Sequence, residues 1–328
     1  MKKIIAIVAG GDSSELPVSL RSAQSIYSFL DKEHYTPYIV EIKHLTWEVR
    51  LENNTLTPLS REDFSFMQNG EKIRFDYAYI TIHGTPGENG LLQGYFDLLR
   101  IPYSSCGVLA SALTFDKFTC NHYLAAFGIR IADSILLRQG QDIETEVVIK
   151  QLGLPCFVKP NAGGSSFGIT KVKTACDLQE AILKARKESP EVIIEQILLG
   201  TEVSCGIYKS KGKRTILPIT EVIPEAEFFD YEAKYEGKVQ EITPARIPDE
   251  TTKRIKALNA AIYDILGAQG IIRIDYIIAE NGDINLLEVN TVPGMTETSF
   301  IPQQVKAANL NMTDVLTEII EHTYEQQS

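Results

Sequence analysis

Between Gly270 and Phe300 the chain reads GIIRIDYIIAENGDINLLEVNTVPGMTETSF, two apolar, β-branched runs flanking Asn281-Gly282. Asn-Gly between such runs is the strongest short-range signal for a β-hairpin, because both residues tolerate the positive φ of a tight turn. A turn centred there pairs residues whose numbers sum to 563, placing Asp275 opposite Glu288 and Arg273 opposite Asn290. Strand side chains alternate faces, so all four project from one side of the hairpin. Directly opposed carboxylates repel unless something positive lies between them. Oxygen ligands from Asp275, Glu288 and Asn290 suit a hard cation such as Mg²⁺, especially one shared with substrate phosphates. The alternative is a solvated polar face with a surface Arg–Asp pair. Against it, Glu288 and Asn290 stand inside the otherwise apolar run LLEVNTV.

A chain of 328 residues outgrows one small core and implies two or three domains. With 44% hydrophobic and 23% charged residues it has the composition of a globular protein. The net charge of −11 argues against a nucleic-acid binder, so any phosphate must be met by local Lys, Arg and backbone N–H groups. The amino terminus, MKKIIAIVAGG, is expected to be a first buried strand entering a glycine turn rather than a signal peptide. No run approaches the length of a membrane span. The five cysteines, Cys106, Cys120, Cys156, Cys176 and Cys205, are dispersed and lack CxxC spacing. They point to a reducing, cytoplasmic setting and no zinc site.

The first hundred residues alternate apolar runs with helical patterns, as an α/β unit does. Strands are expected at Ile4–Ala9, Tyr35–Ile42 and Tyr77–Ile82, with helices at Val18–Leu30 and Leu91–Leu99. The loops GGDSSE and HGTPGENG follow the first and third strands, where ligand groups gather in open parallel sheets. Residues 1–106 are thus read as a first domain and 107–189 as a second. The second carries helices around Leu109–Ala126, strands Cys156–Pro160 and Gly168–Val172, and a helix Leu178–Lys187. Residues 190–328 form a third, strand-rich section: Val192–Ile197, Glu202–Tyr208, Thr215–Ile223 and the hairpin, with helices Thr251–Leu266, Gln303–Ala308 and Met312–Tyr324. Its aperiodic, aromatic stretch 224–244 is expected to be a functional lid.

PNAGGSSFGITKV follows a strand ending in Lys159. Glycines beside serines let backbone N–H groups close over phosphate oxygens while hydroxyls add donors. Lys117 falls in a helical region, where a solvated charge is the plain reading. Glu195 and Glu202 end one strand and begin the next; they could accept from a ribose or simply be solvated. Glu15 stands where a carboxylate would favour a helix amino terminus. His83 ends a strand before glycines, a plausible ligand position.

In this order, HGTPGENGLLQG, VKPNAGGSSFGITKV, FFDYEAKY and RIDY…LLEVNTVPGMTETS resemble the D-alanine–D-alanine ligases of the ATP-grasp superfamily. The resemblance covers nearly the whole chain. It implies a homodimer with an ATP-grasp fold, in which a Rossmann-like parallel-sheet domain precedes two subdomains with antiparallel sheets. It further implies ATP as co-substrate with two Mg²⁺ (or Mn²⁺), and a D-alanyl phosphate intermediate on the way to a peptidoglycan precursor. Lys117, Lys159 and Ser166 would contact the nucleotide's phosphates, Glu195 and Glu202 its adenosine, and Lys234 would reach the γ-phosphate from the lid. Asp275, Glu288 and Asn290 would hold the metals; Arg273 and the Gly294 N–H would form the oxyanion hole. Glu15 would orient the first amino group, with His83 near its carboxylate. Glu15, Ser165 and Tyr235 would link the first domain to flap and lid, and Ser299 and Phe300 would hold the second D-alanine.

The chain departs from the family pattern at Leu16-Pro17, Asn89 and Ser105. A D-alanine–D-lactate ligase of the same fold would carry a lid histidine, whereas this chain has Tyr235 and no histidine between His122 and His322. A non-catalytic ATP sensor would have lost a metal ligand or Arg273. An acyl kinase would need neither lid nor amine pocket.

Overall fold

The computed structural model describes residues 2–164, 167–224 and 239–327. Ser165, Ser166, Lys234 and Tyr235, and most of the expected lid, lie outside the described residues.

The first domain is built on β1 (Lys3–Gly10), β2 (Tyr35–Lys43) and β7 (Tyr77–Ile80), which pair in parallel, as expected; β1 lies between the other two. Alternation along β1 sends Ile5, Ile7 and Ala9 to one core and Ala6 and Val8 to another, so both faces are covered. Helix α1 (Leu16–Phe29) packs on the first face and α2 (Leu91–Leu99) on the second. Pro17 of the unusual Leu16-Pro17 pair stands in the first turn of α1, where its missing N–H costs nothing.

An antiparallel extension absent from the sequence reading widens this sheet: β3 (Thr46–Arg50), β4 (Leu56–Ser60), β5 (Ser65–Gln68) and β6 (Glu71–Arg74). Asn69-Gly70 joins β5 to β6 with φ of 51° and 82°. That is the two-residue turn which Asn-Gly marks.

The second sheet runs β10 (Thr170–Val172), β9 (Cys156–Pro160), β11 (Val192–Gln196), β8 (Ser134–Leu137), antiparallel throughout. Helices α5 (Thr145–Leu152) and α6 (Leu178–Ala185) cover one face. Strand β11, which the expected boundary at 189/190 assigns to the third section, pairs with β8 and β9 of this sheet. The helices expected around Leu109–Ala126 are α3 (Val108–Phe115) and α4 (Lys117–Ala125). They are split at Asp116, whose side chain caps α4 through the Thr119 N–H at 2.8 Å.

The third sheet contains β12 (Gly200–Ser210), β13 (Lys213–Ile216), β14 (Thr220–Pro224), β15 (Val239–Ile242), β16 (Ile271–Ala279) and β17 (Ile284–Asn290), with β17 at its edge. Helix α7 (Asp249–Ile265) seals one face through Ile255, Ile262 and Tyr263. Residues 239–242, expected to be lid, are a strand paired with β14. Two helices follow, α8 (Phe300–Ala307) and α9 (Met312–Gln327). The last one returns to the first domain: Val315, Leu316, Ile319 and Ile320 share a core with Tyr35 and Tyr77. Each such burial contributes about 1.5–3 kcal/mol. Tyr35 Oη donates to Glu321 at 2.7 Å, which fixes the docking direction. Among the described residues no helix is long and apolar enough to cross a membrane, and all five cysteines are free thiols.

Candidate active site

The hairpin meets the sequence expectation at its functional end and departs from it at the turn. Asp275 pairs with Glu288 and Arg273 with Asn290, but Tyr276 pairs with Leu286 and Ile278 with Ile284. The turn takes three residues, closed by Ala279 N–H to Asp283 O at 2.9 Å, with Gly282 at φ 81°. Leu287 is then an extra residue on β17, a β-bulge that restores the register. With the longer turn and no bulge, Glu288 and Asn290 would share the face of Ile272, Ile274 and Tyr276, which is core. The bulge turns them to the face of Arg273 and Asp275.

On that face Asp275 is buried and accepts from three sides. Ser204 Oγ donates at 2.7 Å, Arg273 Nη2 at 2.7 Å and Asn290 Nδ2 at 3.2 Å. Asn290 Nδ2 also lies 3.4 Å from Glu288 Oε1, and Lys117 Nζ 3.4 Å from Glu288 Oε2. Arg273, whose Nη2 also lies 3.8 Å from Glu288 Oε1, thus stands between the two carboxylates as their direct opposition requires, and Lys117 adds a second cation on Glu288. Burial works against the charge of Arg273, but Asp275 and then Glu288 outweigh it and hold the guanidinium above its ordinary value. Lys117 is raised in the same way, Glu288 and Glu88 overriding burial. Phe300 covers the guanidinium, with Cζ 5.3 Å from the ring centroid. Among the described residues no three His, Cys, Asp or Glu side chains converge as a metal cluster. The residue types, two carboxylates and an amide, suit a hard cation sharing its shell with phosphate oxygens, although the Asn290 amide here turns its Nδ2 to the carboxylates and would have to present its oxygen instead.

Lys117 opens α4 and is fixed by the flap. Its N–H donates to Asn161 O at 3.1 Å, the Phe118 N–H to Asn161 Oδ1 at 2.9 Å, and its Nζ to Gly163 O at 2.5 Å. Asn161, fully buried just past the end of β9, was not singled out in the sequence; its place directly after Lys159-Pro160 was the available signal. Lys159 itself forms an ion pair with Glu195 at 2.6 Å. Glu202 lies in β12, opposite Val222 and Ile277, on the third sheet. The phosphate-side and adenosine-side expectations for Lys159 and Glu195 therefore fall on one contact, with Glu202 on a different sheet.

A cavity of about 820 Å³ opens between the hairpin, the flap and the first domain. Its wall includes Glu15, His83, Glu88, Lys117, Gly164, Arg273, Glu288, Asn290, Gly294, Ser299 and Phe300, whereas Asp275, Lys159, Glu195 and Glu202 are not on it. Glu15 holds the N-cap position of α1 but its side chain makes no capping bond, so the capping reading fails. The carboxylate faces the flap instead, so closely that a Cβ on Gly164 would stand 2.5 Å from Oε2. A Cβ on Gly294 would meet Ser299 Oγ at 2.9 Å, and that hydroxyl also accepts the Thr296 N–H at 3.2 Å. Glu88 is a site residue missed in sequence, although it stands five places after His83 in HGTPGENG. Burial first, and Glu15 second, raise its carboxyl to about 8. The unusual Asn89 and Ser105 are absorbed locally, Asn89 donating to Thr85 Oγ1 and Ser105 accepting from Gln93, both at 3.0 Å.

Comparison with known proteins gives two matches to family models, "D-ala D-ala ligase N-terminus" over residues 4–106 and "D-ala D-ala ligase C-terminus" over 123–321. The D-alanine–D-alanine ligase of Phocaeicola vulgatus is 65% identical over 324 residues, covering 99% of this chain and all of that protein. The VanG D-Ala:D-Ser ligase from Enterococcus faecalis superposes with a TM-score of 0.86 at 30% identity, covering 98% of this chain and 100% of the other. The Bacillus anthracis D-alanine–D-alanine ligase complexed with ATP superposes at 0.78 with 27% identity, covering 99% and 98%.

Proposed function

The chain belongs to the D-alanine–D-alanine ligase family, and from that premise we propose that it joins two D-alanines into D-alanyl-D-alanine at the expense of ATP, for peptidoglycan synthesis. The fold is ATP-grasp. The observation that carries the reading is that Glu15 and His83 from the first domain share one cavity with Lys117, Arg273, Glu288 and Asn290.

The first D-alanine lies with its amino group at Glu15 and its carboxylate toward His83. One carboxylate oxygen attacks the γ-phosphorus of ATP, ADP leaves, and D-alanyl phosphate forms. Lys117, held at Glu288 and Gly163, and Lys159 neutralise the transferring group, where most catalysis of phosphoryl transfer lies. Glu195 and Glu202 hold the adenosine, Ser166 and Lys234 complete the phosphate contacts, and Ser165 and Tyr235 join Glu15 in closing flap and lid. Asp275, Glu288 and Asn290 would hold two Mg²⁺ or Mn²⁺ ions, which when bound offset phosphate charge.

The second D-alanine, held by Ser299 at its carboxylate and by Phe300, attacks the activated carbonyl through its deprotonated amine, and phosphate leaves. Arg273 and the Gly294 N–H stabilise the tetrahedral oxyanion. Lid closure keeps water from the acyl phosphate. The protein acts in the cytoplasm as a homodimer. The adjacent helices α2 and α3 support that assembly, since they leave Leu91, Leu98, Val108 and Leu109 exposed. The three units are 1–106, a central unit that includes β11, and the remainder.

ADP release with D-alanine, L-alanine or D-lactate, with product identification, tests the reading. D-Alanine-dependent turnover yielding the dipeptide is the expected result. ATP turnover that ignores D-alanine, or no dipeptide, overturns it.

A further inference from the structure

The bulge at Leu287 is what turns Glu288 and Asn290 toward the cavity, and its carbonyl is held by the helix that carries Lys117. Leu287 itself has no partner in β16, while Leu286 pairs with Tyr276 and bridges to Ile131 on its other edge. Leu286 N–H donates to Arg130 O at 2.8 Å, and Leu287 O accepts from Asn121 Nδ2 at 3.2 Å. Asn121 is buried on α4, one turn after Lys117, and its Oδ1 has no partner among the described residues. A buried, half-satisfied amide is a cost that an apolar side chain of equal size would avoid. Stability alone therefore does not account for an asparagine here.

We infer that Asn121 is a positioning residue: through Leu287 O it clamps the bulge, and so fixes Glu288 and Asn290 relative to both Asp275 and Lys117. The inference rests on the ligase reading above. The clamp acts through one rigid path. Asn161 fixes the first turn of α4, Lys117 leaves that turn toward Glu288, and Asn121 leaves the next turn toward the peptide immediately before Glu288. Removing the Asn121 donor frees β17 to relax toward a regular ladder, and the three metal-ligand oxygens lose their common point. Partners behind metal ligands typically cost 10- to 100-fold in metal affinity when removed.

The test is Mn²⁺ binding in the presence of ADP, read from the electron paramagnetic resonance of free Mn²⁺ without turnover. It is made on the wild-type chain, Asn121→Leu and Asn121→Gln. Asn121→Leu keeps the volume and removes the donor, and should weaken Mn²⁺ binding about tenfold. Its Tm should move by no more than about 4 °C, and ADP binding without metal should be unchanged. Asn121→Gln keeps an NH₂ donor and should stay within roughly threefold of wild type. Unchanged Mn²⁺ affinity in Asn121→Leu overturns the inference, as does equal weakening in both variants. If Asn121→Leu does not fold by circular dichroism, Asn121→Ser, whose hydroxyl is too short to reach Leu287 O, takes the same measurement. Wild-type protein that binds no Mn²⁺ with ADP, or lacks D-alanine-dependent ADP release, would count against the ligase reading itself rather than against the clamp.

Discussion

Lys159 Nζ and Glu195 Oε2 meet at 2.6 Å across β9 and β11, with side-chain exposures of only 11% and 8%. The register explains the contact. Lys159 pairs with Ile193, so Glu195, two residues on, is its diagonal neighbour on the same face. Removing one partner of a buried pair leaves the other charge uncompensated, which costs about 3–5 kcal/mol, whereas replacing both with apolar groups is often neutral. Glu195→Gln should therefore lower Tm by more than the double variant Lys159→Met with Glu195→Leu, while neither binds ATP normally. Thermal melts and nucleotide titration check this. A double variant less stable than the single one would show that the two residues act separately.

Gly164 carries the flap past Glu15 with no room for a methyl group, since a Cβ there would stand 2.5 Å from Oε2 and 3.1 Å from Oε1. The obstacle is the end of a flexible side chain, so the backbone can stay and the carboxylate must swing away. Gly164→Ala should raise KM for the first D-alanine at least about tenfold, because a misplaced group of this kind costs up to 10²-fold. Tm should hardly change. Steady-state kinetics beside a melting curve would decide it, and unchanged KM would remove Glu15 from amino-group recognition.

The hairpin shows how far sequence reached and why it stopped. Asp275 opposite Glu288 was legible because alternation and Asn-Gly are local signals. Two local errors cancelled: the turn is one residue longer than Asn281-Gly282 alone suggests, and Leu287 adds one residue back. Meanwhile Asn69-Gly70, which does form the two-residue turn, stood between runs too polar and short to read as strands. Long-range choices were not legible at all. Nothing in VIIEQ says that it pairs with β8 and β9, and the amphipathic α9 gives no sign that its partner is Tyr35 or Tyr77. Glu88 was hidden because its environment comes from Glu15 and Lys117, far away in the chain.

Asp275 accepts from Ser204, Arg273 and Asn290, so Asp275→Asn keeps the shape but removes the charge. Metal-dependent turnover should fall by at least about 100-fold, the upper range for disturbed metal sites. Some stability is lost too, because Arg273 keeps only the more distant Glu288 at 3.8 Å. The decisive comparison is activity against Tm over a range of Mg²⁺. Equal loss of both, with an unchanged Mg²⁺ requirement, would make this a purely structural ion pair.

Glu88 gives the protein a distinctive response to pH. Its carboxyl is raised from an ordinary 4.5 to about 8, by burial first and by the nearby Glu15 carboxylate second. The Gly84 N–H, donating to Oε2 at 2.6 Å, and Lys117 oppose the rise without cancelling it. The folded chain therefore keeps a proton that the unfolded chain releases. The stability linked to that proton is fully present below about pH 4.5 and is lost as pH rises through about 8. Glu88→Gln, a neutral group that still accepts from Gly84, should match wild-type Tm near pH 4.5 and exceed it by several degrees near pH 9. Melting curves of both proteins across that range supply the test. The difference between them, rather than either curve, isolates Glu88 from the other carboxylates. A difference that stays constant with pH would mean that Glu88 is already ionised in the folded protein.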